Sequence, residues 1–179
     1  MTDQELVLLL QKPETREKAF GVLVSLYKER LYWHIRKIVI SHDDTDDVLQ
    51  NTFIKIYRNI AHFKGDSQLF TWIYRISTNE SLSFLKSQSR RQHRTSESLQ
   101  KALADNLQAD VYFEGDEIQL KLQKAIARLP EKQKLIFNMR YFDEIKFKDL
   151  SLILGTSEGA LKASYHIAMK KIEQFLSSN

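Results

Sequence analysis

The stretch FKDLSLILGTSEGALKASYHIAMKKIEQFL, Phe147 to Leu176, decides how this chain is read. Its opening residues form a short helix that ends at Gly155, a residue able to take the left-handed conformation of a helix C-terminus. Thr156 or Ser157 then caps a longer helix. Helix, glycine turn and second helix make a helix-turn-helix. At 100° per residue, Leu161, Tyr165, Ala168, Ile172 and Phe175 share the face that packs inward. Gly159, Lys162, Ala163, His166 and Lys170 share the opposite face. Small side chains and cations near a helix N-terminus suit a helix lying in a DNA major groove. An αα-hairpin with an ordinary solvated face is the other reading of the same pattern.

Working towards the N-terminus, helical spacing places further helices at residues 131–141, after Pro130, and at 116–128. The segment from about 87 to 115 is polar and mixed in charge, with weak periodicity at Leu99, Leu103 and Leu107; it reads as a linker with one transient helix. Before it, Thr2 and Glu5 stand at capping-box spacing ahead of an apolar run that Pro13 closes. A long helix follows from Glu14 to Ile40, and SHDDTDD (41–47) supplies N-cap residues for the next. FKGDS (63–67) is a turn. No segment alternates in the manner of a strand, and 5 Gly with 2 Pro leave little material for the turns of a sheet. The expected fold is all-α, with two small helical domains over residues 1–88 and 116–179 joined by a flexible linker, 89–115.

The stretch FTWIYRISTNESLSFLKSQSRR (70–91) is aromatic at its start and basic at its end. From Phe70 to Arg94 five cations stand against the single carboxylate Glu80, a surplus equal to the whole chain's net charge of +4. Helical angles put Phe70, Ile73, Tyr74, Ser77 and Phe84 on a core face. Trp72, Arg75, Asn79, Leu82 and Lys86 share an outward face that combines an aromatic, an amide and cations. Arg90 and Arg91 start the linker and are placed to follow a phosphate backbone. Trp72 stands on either reading, packed in the core or turned to nucleic acid.

Taken together and in order, TDDVLQNTFIKIYRNI, FKGDSQLFTWIYRISTNESLSFLK and IARLPEKQKLIFNMRYF before the helix-turn-helix resemble a bacterial RNA polymerase sigma factor of the extracytoplasmic-function (ECF) type. The resemblance covers nearly the whole chain and implies the second and fourth conserved sigma regions. It implies that Asp47, Gln50, Asn51, Phe53 and Ile54 lie in the segment that docks on core RNA polymerase. Of these, Asp47 and Gln50 are the better surface candidates, whereas Phe53 and Ile54 read as core. It implies that Lys64, Gly65, Asp66 and Ser67 form the loop that captures a base from the melted −10 element. The following helix would then hold the displaced strand. One tryptophan, Trp72, stands next to Ile73 where primary sigma factors carry two, which implies weaker melting. The −35 reader would be the helix with Gly159, Lys162, Ala163 and His166. Ser164 and Ile167 occupy positions where many members have arginine, which implies either lower affinity or greater reliance on shape and phosphates. Arg140 and Lys148 read equally as phosphate contacts or as solvated surface.

Other functions leave more of the chain unexplained. A stand-alone helix-turn-helix regulator accounts for the C-terminal half alone. An enzyme would need a nucleophile–base motif or a phosphate loop, and the five histidines are scattered. Four carboxylates at Asp43–Asp47 beside His42 have metal-ligand chemistry but lack EF-hand spacing and its glycine, so they read as an acidic helix start. Zero cysteines exclude disulfides and thiolate zinc sites. No apolar run approaches the roughly 18 residues of a membrane span, and MTDQE is unlike a signal peptide. The expectation is a cytoplasmic, non-enzymatic protein without cofactor or metal. Its partners would be core RNA polymerase, promoter DNA and an anti-sigma factor, with no small-molecule substrate.

Overall fold

Helix caps read from the sequence at Thr2, Ser41, Gly155 and Ser157 set four of the helix boundaries. The computed structural model describes residues 1–93, 98 and 116–178, and among them every regular element is helical. The order is α1 (Asp3–Gln11), α2 (Pro13–Val39), α3 (His42–Asn59), a single 3₁₀ turn at Ile60–His62 and α4 (Leu69–Gln92). Then come α5 (Glu117–Ala127), α6 (Glu131–Tyr141), α7 (Phe147–Leu154) and α8 (Glu158–Ser177). The chain divides into two units. The expected linker lies mostly outside the described residues, as do Leu99, Leu103 and Leu107. Its first part does not: α4 continues to Gln92, so Arg90 and Arg91 sit on a helix and not on the connector.

In the N-terminal unit, α1 begins with a complete capping box. The Glu5 N–H donates to Thr2 Oγ1 at 3.2 Å, and the Thr2 N–H donates to Glu5 Oε2 at 2.7 Å. The backbone donor at Thr2, then its hydroxyl, hold the Glu5 carboxyl below its usual range. The far end of α1 is closed from α2. Thr15 Oγ1 donates to the Leu9 carbonyl at 2.6 Å, and Arg16 donates from Nε to Leu10 and from Nη2 to Gln11. These donors satisfy carbonyls that a helix end otherwise leaves orphaned.

The core beneath is apolar where helical spacing says it should be, with Leu6, Leu10, Leu23, Leu31, Ile35, Val48, Ile56 and Ile73 buried. It also holds a hydroxyl-rich layer that hydrophobic periodicity passes over. Thr45, Thr52 and Ser81 are buried and return their hydroxyls to carbonyls four residues back. His34, 1% exposed, bonds Thr78 Oγ1 through Nε2 at 2.9 Å and lies against the Tyr74 ring. That contact ties α2 to α4. On the same side of α4, Phe70 and Phe84 are half-buried, so the core face runs through Ile73, Tyr74, Ser77, Thr78 and Ser81.

Asp116 caps α5 through the Gln119 N–H at 2.9 Å, and Pro130 precedes α6 as its N-cap. Ala125, Ile126, Leu129, Phe137, Ala168 and Ile172 form the C-terminal core, with Tyr165, Met169 and Phe175 packed against it. Helix α7 ends at Gly155 with φ 66° and ψ 28°, and Ser157 caps α8 through the Ala160 N–H at 3.3 Å. A Cβ built at Gly155 would meet nothing within 4 Å, so substitution there is resisted by the backbone alone. Gly155→Ala should therefore cost about 1 kcal/mol in chemical denaturation, and Gly155→Asn less. An alanine variant as stable as the parent would refute the left-handed turn.

Candidate nucleic-acid interface

The loop at the head of α4 is held at its base. Gln11 Nε2 donates to the Phe63 carbonyl at 2.8 Å, and the buried Phe63 ring packs on Trp72 with centroids 5.2 Å apart. Lys64, Gly65 and Asp66 are exposed beyond this anchor, while Ser67 is half-buried and donates to the Gln68 carbonyl at 3.4 Å. Gly65 takes φ 76° with open space around it. Gln11 was not legible as a site residue, because 52 positions separate it from Phe63 and nothing local marks the pair. Trp72 is half-buried: it packs on Phe63 without being enclosed, so neither alternative reading describes it fully.

Along α4, Asn79, Lys86, Arg90 and Arg91 are exposed and Arg75 is half-buried. The Arg75 Nε is buried and meets no acceptor among the described residues. Leu82 is half-buried, a lesser part of the outward face than its angle suggests. Glu80, the lone carboxylate of this helix, is paired with Lys55 of α3 and so is drawn away from the basic side. The face that remains carries an aromatic, an amide and cations.

On α3, Asp47, Gln50, Asn51 and Ile54 are exposed at spacings of three, one and three, which makes one stripe. Ile54 is 41% exposed, and this corrects its reading as core. The interior of α3 is filled by Thr45, Val48, Leu49, Thr52 and Ile56, so the two buried threonines turn Ile54 outward. Phe53 is half-buried, edge-on to Phe20 of α2 at 6.2 Å, and Tyr57 meets the same ring at 5.0 Å. His42 is spent on structure. Its Nδ1 lies 2.5 Å from the Tyr32 hydroxyl and its Nε2 3.5 Å from Asp46. No group of residues suited to a metal occurs among the described residues.

In the C-terminal unit Gly159, Lys162, Ala163, His166 and Lys170 are all exposed on α8, while Leu161, Ala168 and Ile172 are buried. Lys148 is exposed and Arg140 half-buried. Ser164 is half-buried and Ile167 is 47% exposed, so an apolar side chain stands on the outer surface of this helix.

A family model for Sigma-70 region 2 matches residues 23–91, and one for Sigma-70, region 4 matches residues 119–172. The ECF RNA polymerase sigma-E factor of Haemophilus influenzae is 30% identical, across 97% of this chain and 94% of that protein. The chain belongs to the ECF sigma factors. It is thus a sigma factor directing transcription initiation, in a family of non-catalytic initiation factors. The RNA polymerase sigma-H factor of Pseudomonas aeruginosa is 29% identical across 97% of this chain and 93% of that protein. Among solved structures, CnrH in complex with the cytosolic domain of CnrY has the same fold, with a TM-score of 0.71 at 20% identity over 99% and 98% of the two chains. The sigma factor RpoE in complex with the anti-sigma factor NepR from Bartonella quintana matches with a TM-score of 0.69 at 19% identity, over 89% of this chain and 98% of that one. Among the described residues no helix of this ECF sigma factor is long and apolar enough to cross a membrane.

Proposed function

We propose that this ECF sigma factor divides its work among three exposed surfaces. Asp47, Gln50, Asn51 and Ile54 on α3, flanked by Phe53, dock on core RNA polymerase. Lys64–Ser67 with Trp72, Arg75, Asn79, Lys86, Arg90 and Arg91 hold the melted −10 strand. Gly159, Lys162, Ala163, His166 and Lys170 meet the −35 duplex. One observation carries the reading: the side chains assigned to partners are exposed or half-buried on the outer sides of α3, α4 and α8 and on the loop before α4, while buried residues of the same helices fill the cores. Residues 1–92, to the end of α4, and 116–179 act as the two binding domains, with the segment between them as their linker. The protein works in the cytoplasm, catalyses no reaction and uses no cofactor, metal or small-molecule substrate. An anti-sigma factor is a further partner; the RpoE structure of the same fold was solved with one.

Mixing the purified protein with core RNA polymerase tests this directly. A stable complex that initiates from a promoter selected out of a randomised duplex pool is the expected result. Failure to bind core, together with tight autonomous binding to a palindromic duplex, would favour a stand-alone helix-turn-helix regulator.

A further inference from the structure

An aromatic column runs from the core of the C-terminal unit to its surface. Phe137 is 2% exposed, and Tyr165 stacks on it at 5.8 Å with the rings 16° from parallel. Phe147, the first residue of α7, then meets Tyr165 edge-on at 5.7 Å. Phe147 is half-buried, and two cations from different helices gather over it. The guanidinium carbon of Arg140, on α6, lies 5.3 Å from the ring centroid, and Nζ of Lys162, on α8, lies 5.9 Å from it. Neither cation has a carboxylate partner among the described residues.

We infer that Phe147 positions Lys162 and Arg140 as a paired clamp for DNA phosphates, so that Lys162 grips the backbone and does not read a base edge. This rests on the assignment of α8 to duplex binding. The negative face of the ring attracts both ammonium and guanidinium and offsets part of their mutual repulsion. An anion seated between them would relieve the remainder. A lysine drawn towards Phe147 leans back to α7 and away from the outer side of α8. Base contact is then left to Gly159, Ala163 and His166. Phosphate contacts fix the register of a protein on DNA but carry no sequence information. The clamp therefore adds affinity at every duplex alike.

The test uses the full chain in holoenzyme, titrated across a salt series with duplexes that differ at single base pairs of the selected upstream element. Lys162→Ala should weaken all of them by one common factor of about 10, and the slope of log affinity against log salt should fall by about 0.9. Arg140→Ala should act in the same way. Phe147→Leu should weaken every duplex by about 3-fold with preferences unchanged, and Phe147→Tyr, which keeps a ring, should match the parent. If Lys162→Ala relaxes preference at one base pair only, the lysine reads a base and the clamp is wrong. Parental affinity and slope in Phe147→Leu would equally overturn it. Should Phe147→Leu fail to fold, the single-cation variants decide the matter alone. A parent holoenzyme with no salt-dependent upstream binding would sink the duplex assignment itself, and with it the clamp; a parent that binds while its variants match it sinks only the clamp.

Discussion

Ile54→Arg should weaken association with core RNA polymerase by about 100-fold, while the thermal midpoint of the protein stays where it was. The two halves of that result come from the same fact. Ile54 is 41% exposed, so arginine displaces no core atom and opens no cavity. In a docked complex the same side chain would be enclosed, with Asp47, Gln50 and Asn51 around it on the α3 stripe. Central apolar anchors surrounded by polar side chains dominate interface energetics, and burying an unpaired guanidinium there is costly. Asp47→Ala, at the edge of the stripe, should cost less, about 10-fold, and its effect should fade at high salt. Competition binding to core against the unmodified protein measures both. If Ile54→Arg bound core at parental strength while Asp47→Ala did not, the stripe would dock through its charge and not through its apolar centre.

The fate of Ile54 also shows how far the sequence could be read. Helix positions were legible because capping chemistry is local: Thr2 with Glu5, Ser41 at the start of SHDDTDD, and Gly155 with Ser157 each act within a few residues. Faces were legible on α8, where large apolar and charged side chains alternate with the helical period. They were less so on α3 and α4. There Thr45, Thr52, Thr78 and Ser81 are interior, and a hydroxyl bonded to its own helix or to His34 looks polar in sequence while behaving as filler in the core. Counting hydrophobes therefore sent Ile54 to the wrong side. Long-range contacts were not legible at all. The bond from Gln11 to the Phe63 carbonyl joins a helix to a loop, and the gathering of Arg140 and Lys162 over Phe147 joins three helices, contacts that only folding brings together.

Phe137→Ala should destabilise the C-terminal unit by about 3–5 kcal/mol. Phe137 is enclosed by Ala125, Ile126, Leu129, Ala168 and Ile172, and its ring also stacks against Tyr141 at 5.2 Å and Tyr165 at 5.8 Å. Truncation removes the buried ring and leaves a cavity that helices pinned by short connections cannot close. A unit of this size has little apolar core to spare, so the loss approaches its whole stability. Circular dichroism should then show a separate transition at reduced temperature, with cleavage by protease within α6 to α8. Phe137→Leu keeps most of the volume and should cost far less. Function should divide in the same way. The α3 stripe belongs to the other unit, so Phe137→Ala should still bind core polymerase, yet lose its dependence on the upstream element. A variant that melted as the parent does would mean that the column from Phe137 through Tyr165 to Phe147 is not what braces the surface proposed to meet the −35 duplex.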